Sequence, residues 1–287
     1  MKLFEPVQVR GMVLPNRIIY PAIQFNQGLR SARAKAYYAE RGRGGAGTII
    51  AGATSIDALG SEEPWKGTGG LEGFLHSLRP GVQEVKATGA RFGIQLWQGN
   101  WYPAGAGGKR AGVEINTGGE RVAPSPGENG RALTIPEIQD IIGKFGAAAA
   151  GAKKAGFDFV EVHGAHGYLP CRFFSPLTNH RTDRYGGDLA GRMRFGLECV
   201  KAMRATVGPD YPIFFRLGAE ENAPGGVTLE DSIPFARELE RAGVDCLNVS
   251  VGIPMPHLQA SPSRRYAMGT FAHLAAAVKA QVKVPVV

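Results

Sequence analysis

Two histidines and a tyrosine close an apolar run in "VEVHGAHGYLPCRFFSPLTNHRTDRYGG", the stretch 160–187: His163, His166 and Tyr168. Imidazoles at this spacing can bind zinc, pack in a core, or donate hydrogen bonds to an oxygen that gains charge. A tyrosine close by adds a hydroxyl that can release a proton. Zinc needs a third ligand, and none is evident; the segment does not read as helical either. A lone histidine is usually core packing. Two histidines, a tyrosine, Gly164 and Gly167 at one strand end fit that reading poorly. The cluster reads best as a site for oxygen charge and proton transfer, and the glycines let the backbone pass close to a ligand.

What carries the cluster is a repeated unit. "GGAGTIIAGAT", "ATGARFGIQLW", "KAGFDFVEVHG" and "RAGVDCLNVSV" each end a helix at a glycine and run into a short apolar strand. "RIIYPAI" and "YPIFFRLG" add two strands, and "KVPVV" at 283–287 begins a seventh. Helices lie between. "LTIPEIQDIIGKFGAAAAGAKKAG" opens with Thr134 and Glu137 in capping-box spacing and Pro136 in its first turn, and Thr228 with Asp231 opens another. Strand alternating with helix predicts parallel strands and crossover helices. The expected class is α/β, a (β/α)8 TIM barrel of one domain over 1–287. The eighth strand and the end of the seventh unit are expected to be missing from this chain, leaving it incomplete at the C-terminus. A doubly wound open sheet is the alternative, but no G-x-G-x-x-G follows the first strand. In a barrel the site lies at the C-terminal strand ends, which here carry Pro21 to Gln24, Ala53, Gln95, Trp97, the histidine cluster and Arg216.

Composition narrows the class. The chain has 287 residues, 44% of them hydrophobic, enough for a large core. Its formal net charge is +8, but the basic residues are scattered, which argues against nucleic acid and leaves attraction of an anionic ligand such as a phosphate or acyl-CoA. Cys171, Cys199 and Cys246 form no C-x-x-C pair, so a disulfide framework or structural zinc is not expected. "MKLFEPVQVRGMVLPNR" has no apolar h-region, and no stretch is long enough to span a membrane. The expectation is a cytoplasmic protein with a small-molecule substrate, no metal and no membrane or nucleic-acid partner. Whether it forms a homo-oligomer is left open.

The residues together resemble the old yellow enzyme family of flavin-dependent ene-reductases. "LFEPVQVRGMVLPNRII", "GIQLWQGN", "HGAHGYL…FFSPLTNHRTDRYGG…GRMRF" and "IFFRLGAEE…GGVTLED…LERAGVDCLNVSVG" match its blocks in order. The resemblance implies FMN across the barrel mouth, with Pro21, Ala22, Ile23 and Gln24 after strand one and Ala53 after strand two meeting its edge. Gln95 would hydrogen-bond the pyrimidine ring, and Arg216 would place charge near N1 and O2, where the reduced ring is negative. His163 and His166 would hold the carbonyl oxygen of an α,β-unsaturated substrate while hydride reaches its β-carbon, with Trp97 and Asn26 also lining the substrate site. Tyr168 would give a proton to the α-carbon. NAD(P)H would be the reductant. Taken alone, Arg216 also suits a structural ion pair and Gln95 a satisfied core amide.

Several positions depart from the family pattern. Gln98 and Asn100 replace the usual His and Arg, Gln24 stands where Thr or Cys is common, and Pro21 comes one place early. His257 is a candidate second acid or a solvated loop histidine. The glycine- and arginine-bearing loops that hold the FMN phosphate in relatives are expected to lie beyond Val287. "SPLTNHRTDRYGG" reads as structural. "HGAHGYL" most resembles the branch that includes 2,4-dienoyl-CoA reductase and trimethylamine dehydrogenase, so a 4Fe-4S cluster and FAD are implied only if the protein continues. Two other readings stay open: a flavin-dependent amine dehydrogenase, which would want an aromatic cage, and a non-catalytic barrel used as a subunit.

Overall fold

Short β-branched runs buried on both faces, alternating with amphipathic helices, build a parallel sheet under a helical layer. The computed structural model describes residues 2–23, 28–57, 67–98, 109–110, 113–114, 122–127, 130–252 and 267–287. Its parallel strands are β1 (Ile19–Ile23), β2 (Thr48–Ser55), β3 (Arg91–Trp97), β4 (Phe159–Gly164), β5 (Ile213–Gly218) and β6 (Cys246–Ser250), side by side in chain order. A seventh position begins beside β6, where Val286 bridges Leu247 in parallel and Val249 N donates to Val287 O at 2.8 Å.

The helices are α1 (Ala32–Arg43), α2 (Gly70–Ser77), α3 (Arg79–Lys86), α4 (Ile135–Ala155), α5 (Leu169–Phe174), α6 (Leu189–Val207), α7 (Leu229–Ala242) and α8 (Ala272–Lys279). Capping boxes form at Thr134 with Glu137 and at Thr228 with Asp231, satisfying amides at the starts of α4 and α7. Both helices stop at a left-handed glycine, Gly156 (φ 96°) and Gly243 (φ 107°), a conformation that costs residues with a side chain.

The sheet is curled. Ile19 of β1, Ile50 of β2, Phe159, Phe214 and Cys246 of β6 share one interior cluster, which a flat sheet could not bring together. Phe159 and Phe214 stack with ring centroids 4.3 Å apart. Gly93 makes room for them: a Cβ there would lie 2.4 Å from the Phe159 ring. The opposite faces, Ile49, Ile94, Leu96, Val160, Val162, Phe215, Leu217 and Leu247, join the larger cluster with the helices. This explains the nearly continuous apolar strands.

The chain enters β1 through an antiparallel hairpin, Val7–Val9 with Met12–Leu14. Val9, Met12 and Leu14 join the interior cluster and plug the N-terminal end of the barrel. Asp245 ties the plug down, accepting from Arg10 Nε and Arg204 Nη2 at 2.6 Å each.

Two bulges shape the opposite end. Tyr20 pairs with Ile49 and Ile23 with Ala51, so Pro21 and Ala22 together oppose Ile50. Ala51 pairs with Ile94 and Thr54 with Leu96, so Gly52 and Ala53 oppose Gln95. Ala53 therefore lies inside strand two rather than after it. Proline tolerates a bulge because it has no ladder amide to lose, and bulges turn strand ends next to binding sites. Among the described residues, no helix is long and apolar enough to cross a membrane.

Candidate active site

Alternation along the strands decides which side chains enter the barrel. Above the apolar plug, β3 presents Gln95 and Trp97, β4 Glu161 and His163, β5 Arg216, and β6 Asn248 and Ser250. The ladder fixes their neighbours: Gln95 is level with Glu161, and His163 with Arg216 and Asn248.

Glu161 organises the lower layer. Its side chain is fully buried, with Gln95 Nε2 donating to Oε1 at 2.7 Å and Asn248 Nδ2 donating to Oε2 at 3.0 Å. Burial pushes its carboxyl pKa up, against the opposing pull of Arg216, Asn248 and Gln95. The bond from Nε2 fixes the Gln95 amide, and among the described residues nothing donates to its Oε1.

Arg216 has no hydrogen-bond partner among the described residues, and its Nε is buried without one. Burial lowers its pKa, while Glu161 and Tyr168 act in the other direction. An unsatisfied buried donor costs about 1–3 kcal/mol. Trp97 Nε1 is likewise buried and unpartnered.

The upper layer is the turn after β4. Gly164 is obligatory there, since a Cβ would meet the Phe215 ring at 2.2 Å. His166 takes the left-handed φ of 58° and Gly167 follows at 79°, which reverses the chain and starts α5 with Tyr168 as its N-cap. His163 Nδ1 accepts from Ala165 N at 3.4 Å, and His166 Nε2 lies 2.7 Å from Ser250 Oγ. The two imidazoles meet edge to face at 5.0 Å, and the Tyr168 ring is 4.3 Å from His163 and 4.9 Å from Trp97. Burial first, then the neighbouring charge, pushes both histidines down: His163 well below its usual range and His166 to about 3. Both rings are therefore neutral at physiological pH, each with one N–H to give.

His163, His166, Tyr168, Trp97, Gln95 and Arg216 thus converge on one end of the barrel. Pro21, Ala22, Ile23 and Ala53 share that rim on β1 and β2, and both Pro21 and Ile23 are solvent-exposed. Gln24, Asn26, Asn100 and His257 lie outside the described residues. Gln98 is fully buried, and its carbonyl accepts Leu169 N at 2.8 Å, joining the end of β3 to α5. In the 175–187 loop, Asn179 Nδ2 donates to Phe173 O and Tyr185 O at 2.6 and 2.7 Å, and Arg181 Nη1 donates to Pro124 O and Leu133 O at 2.7 Å each. Glu161, Asn248 and Ser250 were not foreseen, although a polar residue inside a buried strand is itself a signal.

Among the described residues, no group of three His, Cys, Asp or Glu could hold a metal ion. What the site offers is a buried cation without a hydrogen bond among the described residues, a fixed amide oxygen, an exposed apolar rim and paired neutral donors. That set suits a flat ligand with a polar edge beside a substrate oxygen.

A family model described as the NADH:flavin oxidoreductase / NADH oxidase family matches residues 2–287. A metal reductase of Desulforamulus reducens is 38% identical over 99% of this chain and 42% of its own length. An NADH oxidase of Thermoanaerobacter brockii is 39% identical over 99% of this chain and 44% of its own length. The chain thus spans under half the length of these two relatives. A 2-naphthoyl-CoA reductase solved with 2-naphthoyl-CoA superposes with a TM-score of 0.85 at 29% identity, covering 99% of this chain and 46% of that one.

Proposed function

The chain belongs to the NADH:flavin oxidoreductase / NADH oxidase family, and from that premise we propose that it forms the FMN-binding barrel of an NAD(P)H-dependent reductase of activated C=C bonds. The substrate is a small molecule, an α,β-unsaturated carbonyl or an enoyl- or aryl-CoA thioester. One observation carries the reading: His163 and His166, both neutral, stand with Tyr168 on one turn near Arg216, which has no hydrogen-bond partner among the described residues.

The residues fit an isoalloxazine ring. Gln95 Oε1, freed by the bond from Nε2 to Glu161, accepts from the pyrimidine edge. Arg216 lends positive charge where the reduced ring is anionic, and Pro21, Ala22, Ile23 and Ala53 supply an apolar border. FMN, when bound, would supply the two-electron hydride chemistry that links NAD(P)H to the C=C bond. The histidine N–H groups polarise the substrate carbonyl and hold the oxygen as its charge grows, an interaction stronger in the transition state than in the bound substrate. Trp97 backs the Tyr168 ring, and the Tyr168 hydroxyl delivers a proton to the α-carbon. The reductive reading draws support from the 2-naphthoyl-CoA reductase likeness. A 4Fe-4S cluster, FAD and an oligomeric assembly concern the longer protein.

The experiment is the visible spectrum of the purified chain with added FMN, then with NADH or NADPH without oxygen, then with an enone or enoyl-CoA. A flavin band that bleaches and returns supports the proposal. Reduced flavin that reoxidises only with an amine-derived imine would sink it, and so would no flavin uptake by a chain extended through the eighth strand.

A further inference from the structure

We propose that Ser250 is a positioning residue whose hydroxyl donates to His166 Nε2 and so holds that ring's proton on Nδ1. The inference rests on reading the histidine pair as donors to a substrate oxygen.

A neutral imidazole has one N–H, and the hydrogen bond at one nitrogen decides where it sits. For His163 the backbone decides. Its Nδ1 accepts the Ala165 amide, so the proton is on Nε2. For His166 the Nε2 is 2.7 Å from Ser250 Oγ, and Nδ1 has no partner among the described residues. A serine hydroxyl can donate or accept. If it accepted, His166 Nδ1 would offer a bare lone pair, and the two rings would present one donor and one acceptor. A lone pair repels an oxygen gaining negative charge. If it donates, both rings present an N–H, and the pair acts in one sense.

The surroundings hold Ser250 to this task. It is buried at the end of β6, where its carbonyl accepts Ala219 N at 2.8 Å. Its ladder partner is Gly218, which has no side chain to compete for the hydroxyl. Gly218 admits none: a Cβ would lie 2.6 Å from the Gly252 Cα. His166 itself sits in the left-handed region at φ 58°, which a residue with a side chain occupies only when its surroundings hold it there. The Ser250 contact is the tether from this turn to β6. Because His166 stays neutral down to about pH 3, the open variable is the tautomer, not the charge.

The test is the histidine ring 15N spectrum of the labelled, ligand-free chain. Long-range 1H–15N correlations separate the two tautomers, and His163→Gln and His166→Gln variants assign these rings among the six histidines. We expect Nε2–H for His163 and Nδ1–H for His166. Ser250→Ala should swing the His166 ratio toward Nε2–H by about five-fold, the worth of one hydrogen bond, and Ser250→Thr, which keeps the hydroxyl, should retain Nδ1–H. An Nε2–H His166 in the unmodified chain overturns the proposal, and so does an Nδ1–H ring unchanged in Ser250→Ala. The unmodified chain decides the tautomer alone, so a variant that fails to fold does not blunt the test. Flavin uptake is read separately, on a chain extended through the eighth strand: Nδ1–H there without flavin binding upholds the tautomer assignment and sinks the function proposed above.

Discussion

Lowering the pH from 7 to 5 should destabilise this fold through its two site histidines. His166 titrates near 3 in the folded chain against about 6.5 when unfolded. Between those values the unfolded chain binds a proton that the folded chain refuses. Stability is therefore fully present above about pH 6.5 and is lost as pH falls toward 3. Integrating the difference for His166 gives a loss of about 2 kcal/mol between pH 7 and 5. His163, shifted in the same direction, adds to the loss. The His166 share alone is a sizeable part of the roughly 5–15 kcal/mol typical of a domain. Glu161 works in the opposite sense, since its raised pKa favours the fold as pH falls, so the total curve mixes both. Comparing unmodified chain with His166→Gln cancels the groups remote from His166 and leaves His163, whose own downward shift owes less to His166 than to burial. The glutamine keeps an amide for Ser250 and cannot titrate. Urea midpoints at pH 7, 6 and 5 should show the gap between the two proteins close or reverse by about 2 kcal/mol. Parallel curves would mean that His166 protonates in the folded state, and the argument for neutral donors would fall with it.

Three further outcomes follow from the same geometry. Tyr168→Phe should keep flavin reduction by NAD(P)H and slow enone-dependent reoxidation by about 10²–10⁴-fold, measured by stopped flow. Arg216→Met removes a cation that favours the reduced ring, so the flavin midpoint potential should fall by on the order of 50 mV in spectroelectrochemistry. Glu161→Ala strands the Gln95 and Asn248 amides and the Arg216 charge, and should cost about 3–5 kcal/mol in urea unfolding. Glu161→Gln keeps one acceptor oxygen and should cost clearly less; equal losses would show that the carboxylate serves packing rather than hydrogen bonding.

The histidine–tyrosine cluster was legible because its members are neighbours in sequence and bracketed by glycines. The strand order and the boxes at Thr134 and Thr228 were legible because periodicity and capping are local signals. The layer beneath was not. In Phe159–Gly164 the outward Val160 and Val162 are as buried as the inward residues, so alternation of polarity does not announce a face. Glu161 declares its role only once Gln95 comes level with it and Asn248 reaches it from β6, both on strands far away in sequence. The bulges at Pro21 and Gly52 are properties of a pairing, and one strand alone cannot show them. The N-terminal hairpin was not read from the sequence at all: "VQVRGMVL" alternates as strands do, but its pairing with itself and its place at the floor are set by the interior cluster it joins.

The two ends of the barrel treat charge differently, and this bears on whether the chain is only a scaffold. At the floor, both Asp245 oxygens are engaged, by Arg10, by Arg204 and by the Ile213 amide at 2.8 Å. The fold can therefore place an arginine against a carboxylate at hydrogen-bond distance within this interior. At the mouth it does not. Among the described residues Arg216 stands without a hydrogen bond and Trp97 Nε1 is buried without one, and His166 is bent into a left-handed conformation. Each of these works against stability by about 1–3 kcal/mol. A scaffold needs none of them, since a leucine or methionine at the same strand ends would pack and carry no unmet donor. The floor is not free of such costs, since Arg204 Nε is also buried without a partner among the described residues. What sets the mouth apart is that its unmet donors, Arg216 Nε and Trp97 Nε1, stand on the strand ends flanking the histidine turn, where the proposed flavin and substrate would supply acceptors.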